Sequence, residues 1–504
     1  MMKKLSAALL ILALCFGALT GCGDIVIGAQ PTPAPAPEPI QNTPGGIVID
    51  PVDTSPKGGD ITLNGSGASF TGSGVSISGS TVTIASPGSY TVSGTLDDGC
   101  IVVNTGEVKG DVTLTLKGAD VTCLSGPAIH VIEAKNFNLV LAQDTQNRLV
   151  SGSEETEVVV KQDGAALFCE DDLNIRGSGS LEVLGWLNNG ITCKDDLDIE
   201  DGIIRVTAVY NGVKGSESVE IFGGSLTVSA GNDGVKTSSA KKEGKGFLTV
   251  EGGTLDITAG GDGLSAETAL TVSGGEIRVT TSAEREDGSS KALKAKTLLT
   301  VSGGTLTIDS ADHALHCTGD IELSGGTLTV DSRAGKGVSA HGTLTLSGSM
   351  LDITSSDDGV EAEEAVTISG GELRLFTGGD GIKAGSKSGA GAGTLSITGG
   401  SVTLSAHGDP FDAKGGATIS GGSFTGVGSP KTPQGFSPES PQRSLLFLFN
   451  GGANTAAEVR SASNELVGAV EARCGYTCAI ISRAGLASGT YTIELGTLKA
   501  SAEA

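Results

Sequence analysis

Glycine supplies 79 of the 504 residues, about twice the share of an ordinary globular chain, whereas aromatics are only 3%. The glycines do not recur at every third position, which excludes a collagen-like helix, and an apolar share of 38% excludes a disordered chain. With 33 Lys and Arg against 58 Asp and Glu, the net charge of −25 excludes the basic footprint of a nucleic-acid binder and suits divalent cations, or anionic ligands reached through them.

The chain opens with Lys3 and Lys4, an apolar run from Leu5 to Leu19, and then Thr20-Gly21-Cys22. A basic start, a short apolar stretch and a small-residue cleavage site predict an export signal over residues 1–21. Leu19-Thr20-Gly21-Cys22 resembles the bacterial lipobox, which makes Cys22 the expected lipidated N-terminus of an extracytoplasmic, membrane-anchored protein. Residues 22–56 contain alternating prolines from Pro31 to Pro39 and read as an extended tether.

Residues 57–163 are β-rich but irregular and are expected to form the first coils and a cap. From residue 164 to 428 one unit recurs: a short strand, a Ser-Gly-Gly bend, a second strand, then an Asp-Gly-type corner and a third short segment. The corner residues Asn189, Asn211, Asp233, Asp262, Lys291, His313, Lys336, Asp358, Asp380 and Asp409 lie 22 or 23 residues apart, or 29 where a polar insertion such as 240–245 or 386–391 intervenes. Three alternating segments per unit, with no helical period, predict an all-β fold, one three-sided coil of a parallel β-helix per repeat. Leu299, Val301, Leu306 and Ile308 are expected to face inward, and Thr300 and Thr307 outward. The prolines of 429–442 read as a linker, and 443–504 as a small C-terminal β module.

Cys169, Cys193 and Cys317 fall where other repeats place Ala266, Ala295 or Ala340, and are read as small core residues, with a Cys169–Cys193 bridge as the alternative. Cys474 and Cys478 are close enough in sequence to close a local loop.

Stacked corners predict a column of carboxylates: Asp358, Asp380 and Asp409, with Asp357, Glu361 and Asp412 beside them, and Asp233 over Asp262. Carboxylates about 4.8 Å apart repel by roughly 3–4 kcal/mol at an effective dielectric near 20, so calcium or a lysine must neutralise them. The position three residues after each corner is expected to face outward and carries Lys214, Lys236, Lys294 and Lys383. These lysines are candidate ligands for an acidic glycan. Alternatively, a lysine beside calcium meets the needs of a uronate-eliminating lyase, with Lys236 or Lys383 as base. Trp186, Phe168 and Tyr210 offer either one small sugar platform or ordinary packing.

The lipobox and spacer, Ile61-Thr62-Leu63-Asn64-Gly65, Gly88-Ser89-Tyr90-Thr91-Val92, the repeated Ser-Gly-Gly and Asp-Gly-Ile-Lys-Ala motifs and the ending Ser488-Gly489-Thr490-Tyr491-Thr492 resemble one family. It is the carbohydrate-binding, polysaccharide-lyase-like β-helix lipoproteins of bacteria, and the likeness runs from about residue 57 to 496. The resemblance implies a right-handed parallel β-helix, calcium at acidic corners, and binding of cellulose and polygalacturonate-type polymers without established lyase activity. The corners at Asn189, Asn211, His313 and Lys336 depart from the family's Asp-Asp-Gly, which leaves Asp357 to Asp412 as the best acidic cluster. The expected function is therefore calcium-assisted, non-catalytic binding of a plant-type or acidic polysaccharide at a bacterial surface. An active uronate lyase and a structural adhesin are the alternatives.

Overall fold

A computed structural model describes residues 57–155, 164–282, 289–385 and 392–504. The expected export signal, Cys22 and the expected proline tether lie outside the described residues. The described residues form strands and turns with no helix, and most strands run parallel in two large sheets, one of 28 strands and one of 15.

The repeat seen in the sequence is the unit of pairing. In one repeat Leu264–Ser265, Ala269–Val272 and Glu276–Thr281 each lie parallel to the equivalent segment of the next, with Leu264 opposite Leu293, Leu270 opposite Leu299 and Ile277 opposite Leu306. Three ladders of parallel strands result. Those through Ala269–Val272 and Glu276–Thr281, the first and second ladders, join in the larger sheet because strands such as Leu298–Ser310 run through the Ser-Gly-Gly bend without a break. The one through Leu264–Ser265, the third ladder, forms the smaller sheet. Glycine is obligatory at that bend: a Cβ on Gly303 would sit 2.2 Å from the Ser273 carbonyl oxygen, and Gly304 has φ +85°.

Alternation fills the interior. Leu299, Val301, Leu306 and Ile308 are buried and Thr307 is exposed, as the period-2 pattern predicts, while Thr300 is only half-covered. Each such aliphatic side chain contributes about 1.5–3 kcal/mol on burial. Cys169 and Cys193 face each other in register and are fully buried, as is Cys317 between Ala295 and Ala340. All three remain thiols.

The parallel ladders begin and end in antiparallel pairs. Lys57–Gly65 pairs antiparallel with Ala68–Ser73, and Val75–Ser78 with Thr81–Ile84. At the far end Ser423–Gly428 pairs antiparallel with Tyr476–Arg483, and a four-stranded antiparallel sheet follows. Residues 429–442, expected as a linker, lie against the last repeat. The Gln434 side-chain amide accepts from Ala413 N–H at 2.9 Å and donates to its carbonyl at 2.8 Å, standing in for the next strand. Phe436 packs on Phe411 and Phe424 with ring centroids 4.8 and 5.2 Å away. Open strand edges invite further pairing, and this segment covers one.

Candidate functional site

The third ladder brings the predicted lysine positions into one column. Successive partners are Phe168, Thr192, Lys214, Lys236, Ser265, Lys294, His316, Ser339, Glu361, Lys383 and Asp412. The residues alternate away from the apolar interior, but they are less open than expected. Phe168 is fully buried, Thr192 is 2% exposed and Lys383 only 6%, because the neighbouring corner side chains cover them.

Those corners form a hydrogen-bonded ladder of their own. The side-chain Oδ1 of each Asn or Asp accepts the backbone N–H of the next corner: Asn189 from Asn211 at 3.1 Å, Asp233 from Asp262 at 2.9 Å, Asp262 from Lys291 at 3.0 Å, Asp358 from Asp380 and Asp380 from Asp409, both at 2.9 Å. Asn211 extends the series with a longer bond to Asp233, and His313 Nδ1 lies 3.1 Å from the Lys336 N–H. A buried N–H needs an acceptor, and Asn and His supply one as Asp does. This explains the departures from Asp at 189, 211 and 313 without reference to a cation.

Most of the acidic corners already hold a lysine. Asp233 pairs with Lys236 at 2.5 Å, Asp262 with Lys294 at 2.7 Å, and Asp358 with Lys383 at 2.9 Å. Lys336, itself at a corner, reaches Asp357 at 3.3 Å and Glu361 at 3.0 Å. Burial works against the ammonium of Lys383, but Asp358, Glu361 and Asp380 outweigh it and its pKa is raised. Lys336 is raised in the same way by Glu361 and Asp357.

One acidic group lacks such an answer. Carboxylate oxygens of Asp380, Asp409 and Asp412 lie within 4.8 Å of one another. Burial, followed by the charges of Asp380 and Asp412, pushes the Asp409 carboxyl up to about 6, and burial with Asp358 raises Asp380. Among the described residues the cation paired with this group is Lys383, 3.9 Å from Asp380 and already bound to Asp358. Three convergent carboxylates short of positive charge fit a hard, oxygen-seeking cation such as calcium.

The opposite end of the column is basic. Lys214 makes no ion pair among the described residues, and burial, then Lys236 and Lys194, lowers its pKa. Lys194, which the repeat pattern did not single out, stands 5.3 Å over the Phe168 ring, and His130 meets that ring edge-on at 5.3 Å. Phe168 is thus a buried support for these groups, not part of a sugar platform. Trp186 and Tyr210 remain half-buried on successive repeats nearby. From Lys214 to Asp412 the column spans eight strand spacings, about 38 Å.

One charge cluster carried no sequence signal. Lys242 and Lys245, in the insertion 240–245, fold back onto Asp195, Asp196 and Glu217. Asp198 lies in the same acidic row and is raised to about 6 by burial and by Glu220. The loop's polar composition marked it as surface, but its partners are distant in sequence.

The described residues thus form a long all-β ladder with a polar, charge-graded column along one side. The chain belongs to the family of carbohydrate-binding domain-containing proteins, which matches residues 78–332 and 325–444. A carbohydrate-binding domain-containing protein of Acetivibrio thermocellus is 35% identical over 128 residues, 25% of this chain and 44% of the relative, so less than half of that relative's length is matched. The gadolinium derivative of a polysaccharide lyase-like protein from C. thermocellum is similar at 32% identity, over 44% of this chain and 91% of that one, with a TM-score of 0.42.

Proposed function

We propose that the protein is a non-catalytic polysaccharide-binding protein that holds an acidic glycan along the third ladder, with calcium at Asp380, Asp409 and Asp412 and free ammonium groups at Lys194 and Lys214. The charge gradient of the column carries this reading. One end offers cations for uronate carboxylates, and the other offers oxygen ligands through which calcium can bridge to them. Cellulose or pectin-like polymers are the ligand class, the three ladders wind as a right-handed three-sided β-helix, and lipidated Cys22 tethers the body outside the cytoplasm.

The lysine chemistry favours binding over elimination. A lyase base must shed its proton near neutral pH, whereas the carboxylates around Lys383 hold its proton on and Lys236 is clamped to Asp233. Lys214 is depressed, yet it lies about 38 Å along the column from the acidic triad.

Mature protein mixed with polygalacturonate and calcium is expected to be retained on insoluble pectin and released by chelator, with no growth of unsaturated-product absorbance. Absorbance growth that disappears in Lys236→Ala or Lys383→Ala would establish the lyase. Absence of retention on pectin and cellulose alike would favour the adhesin.

A further inference from the structure

The chain holds five histidines, and three of them, His313, His316 and His341, stand together on the third ladder. Their spacings of 3 and 25 residues spell no metal motif, and it is the parallel register that gathers them. His316 is the central residue of Leu315–Cys317 and lies opposite Ser339 in Val338–Ala340. The His341 N–H donates to the Cys317 carbonyl at 3.0 Å, which fixes His341 as the next outward position after Ser339. Cys317 and Ala340 turn into the core.

The ring centres of His316 and His341 are 5.3 Å apart, with their planes at 84°. Two imidazoles that share a tetrahedral zinc through bonds of about 2.1 Å hold their ring centres about 5 Å apart, so this separation is the one a shared ion requires. His316 Nδ1 is buried and has no hydrogen-bond partner, an orphan that an ion would satisfy. His341 is exposed, so solvent reaches the pair from that side. His313 is already engaged: its Nδ1 lies 3.1 Å from the Lys336 N–H and 3.1 Å from Asp312 Oδ1.

The lysines beside the pair are themselves neutralised, Lys291 by Asp312 at 2.6 Å and Lys294 by Asp262 at 2.7 Å. Burial, then Lys291, His313, His341 and Lys294, lowers the His316 pKa to about 3, so its imidazole is neutral at pH 7 and keeps a lone pair for a metal. Neutral imidazole suits zinc and copper(II), whereas calcium takes oxygen ligands. The histidine pair and the carboxylates of Asp380, Asp409 and Asp412 therefore suit different ions.

We propose that His316 and His341 form a binding site for a zinc or copper(II) ion, with solvent in the remaining coordination positions. The test strips full-length mature protein with chelator, removes the chelator, and titrates zinc chloride calorimetrically in excess calcium. The expected result is one saturable zinc site that calcium does not displace. His341→Gln, at an exposed position, is expected to weaken it about tenfold or more without changing the melting temperature of the metal-free protein, and His316→Gln to weaken it similarly. His407→Gln, on a later repeat, is expected to leave it unchanged. With copper(II) as probe, the electron paramagnetic resonance spectrum is expected to show coupling to two imidazole nitrogens in wild type and to one in His341→Gln. Absence of saturable zinc binding, or equal affinity in wild type and both pair variants, overturns the proposal. Two-nitrogen coupling retained in His341→Gln overturns the assignment of that ligand.

Discussion

At the scale of single residues, neighbours decide what a charged side chain can do. Asp233, Asp262 and Asp358 are all buried, yet each is answered by a lysine, whereas Asp409, repelled by Asp380 and Asp412, meets Lys383 only as a weaker and more distant charge. Asp409→Asn or Asp412→Asn should therefore abolish a calcium-dependent rise in melting temperature. In wild type that rise corresponds to about 2.7 kcal/mol when calcium is at 100 times its Kd. Asp262→Asn should instead leave the calcium response intact while destabilising the fold, because it strips Lys294 of its partner. Melting curves with calcium and with chelator distinguish the two. The pH dependence has a definite sign. Asp409 has a raised folded pKa, so the folded state binds protons more readily there, and the ionised triad loses stability as pH rises from the unfolded value of 3.8 through about 6. At the proposed site calcium would offset that loss only once the carboxylates are charged. The calcium-induced shift should be large at pH 7.5 and small at pH 5. Lys214→Ala should weaken binding to oligogalacturonate about 3–10-fold and reduce its salt sensitivity, as titrations at two ionic strengths would show.

At the scale of the element, the ladder of corner side chains holds successive repeats in register. Asn189 accepts both the N–H and the side-chain amide of Asn211 and donates to Thr192. Asn189→Ala leaves these buried groups unpaired and should cost about 1–3 kcal/mol, measurable by denaturant unfolding. Much of this level was legible in the sequence. Strand alternation around Leu299 and Leu306, the Gly303-Gly304 bend and the register of Lys214 over Lys236 all follow from local period and spacing. The use of Asp as a hydrogen-bond acceptor was not legible, because Asp-Gly spells a turn, a cation ligand and a ladder acceptor alike. Nor was the clasp of Lys242 and Lys245 onto Asp195, Asp196 and Glu217, which depends on where an insertion folds. The prolines of 429–442 signalled a connection, but Gln434 and Phe436 turn it into the cover of the last repeat.

At the scale of the whole molecule, repetition turns a glycine-rich, aromatic-poor chain into a long surface on which charge varies by position. With few exposed rings for stacking and a net charge of −25, recognition of an acidic polymer must work through cations, either the protein's own lysines or bound calcium. In the proposed function the basic and acidic ends of the third ladder would place both devices on one line of about 38 Å, long enough for several sugar units. Calorimetric titration of oligogalacturonate into the mature protein, with calcium and then with chelator, tests this most directly. The account predicts saturable binding that weakens on chelation and in Asp412→Asn, and weakens again when Lys214→Ala is added. Binding of equal strength in calcium and chelator, unchanged in both variants, would contradict it.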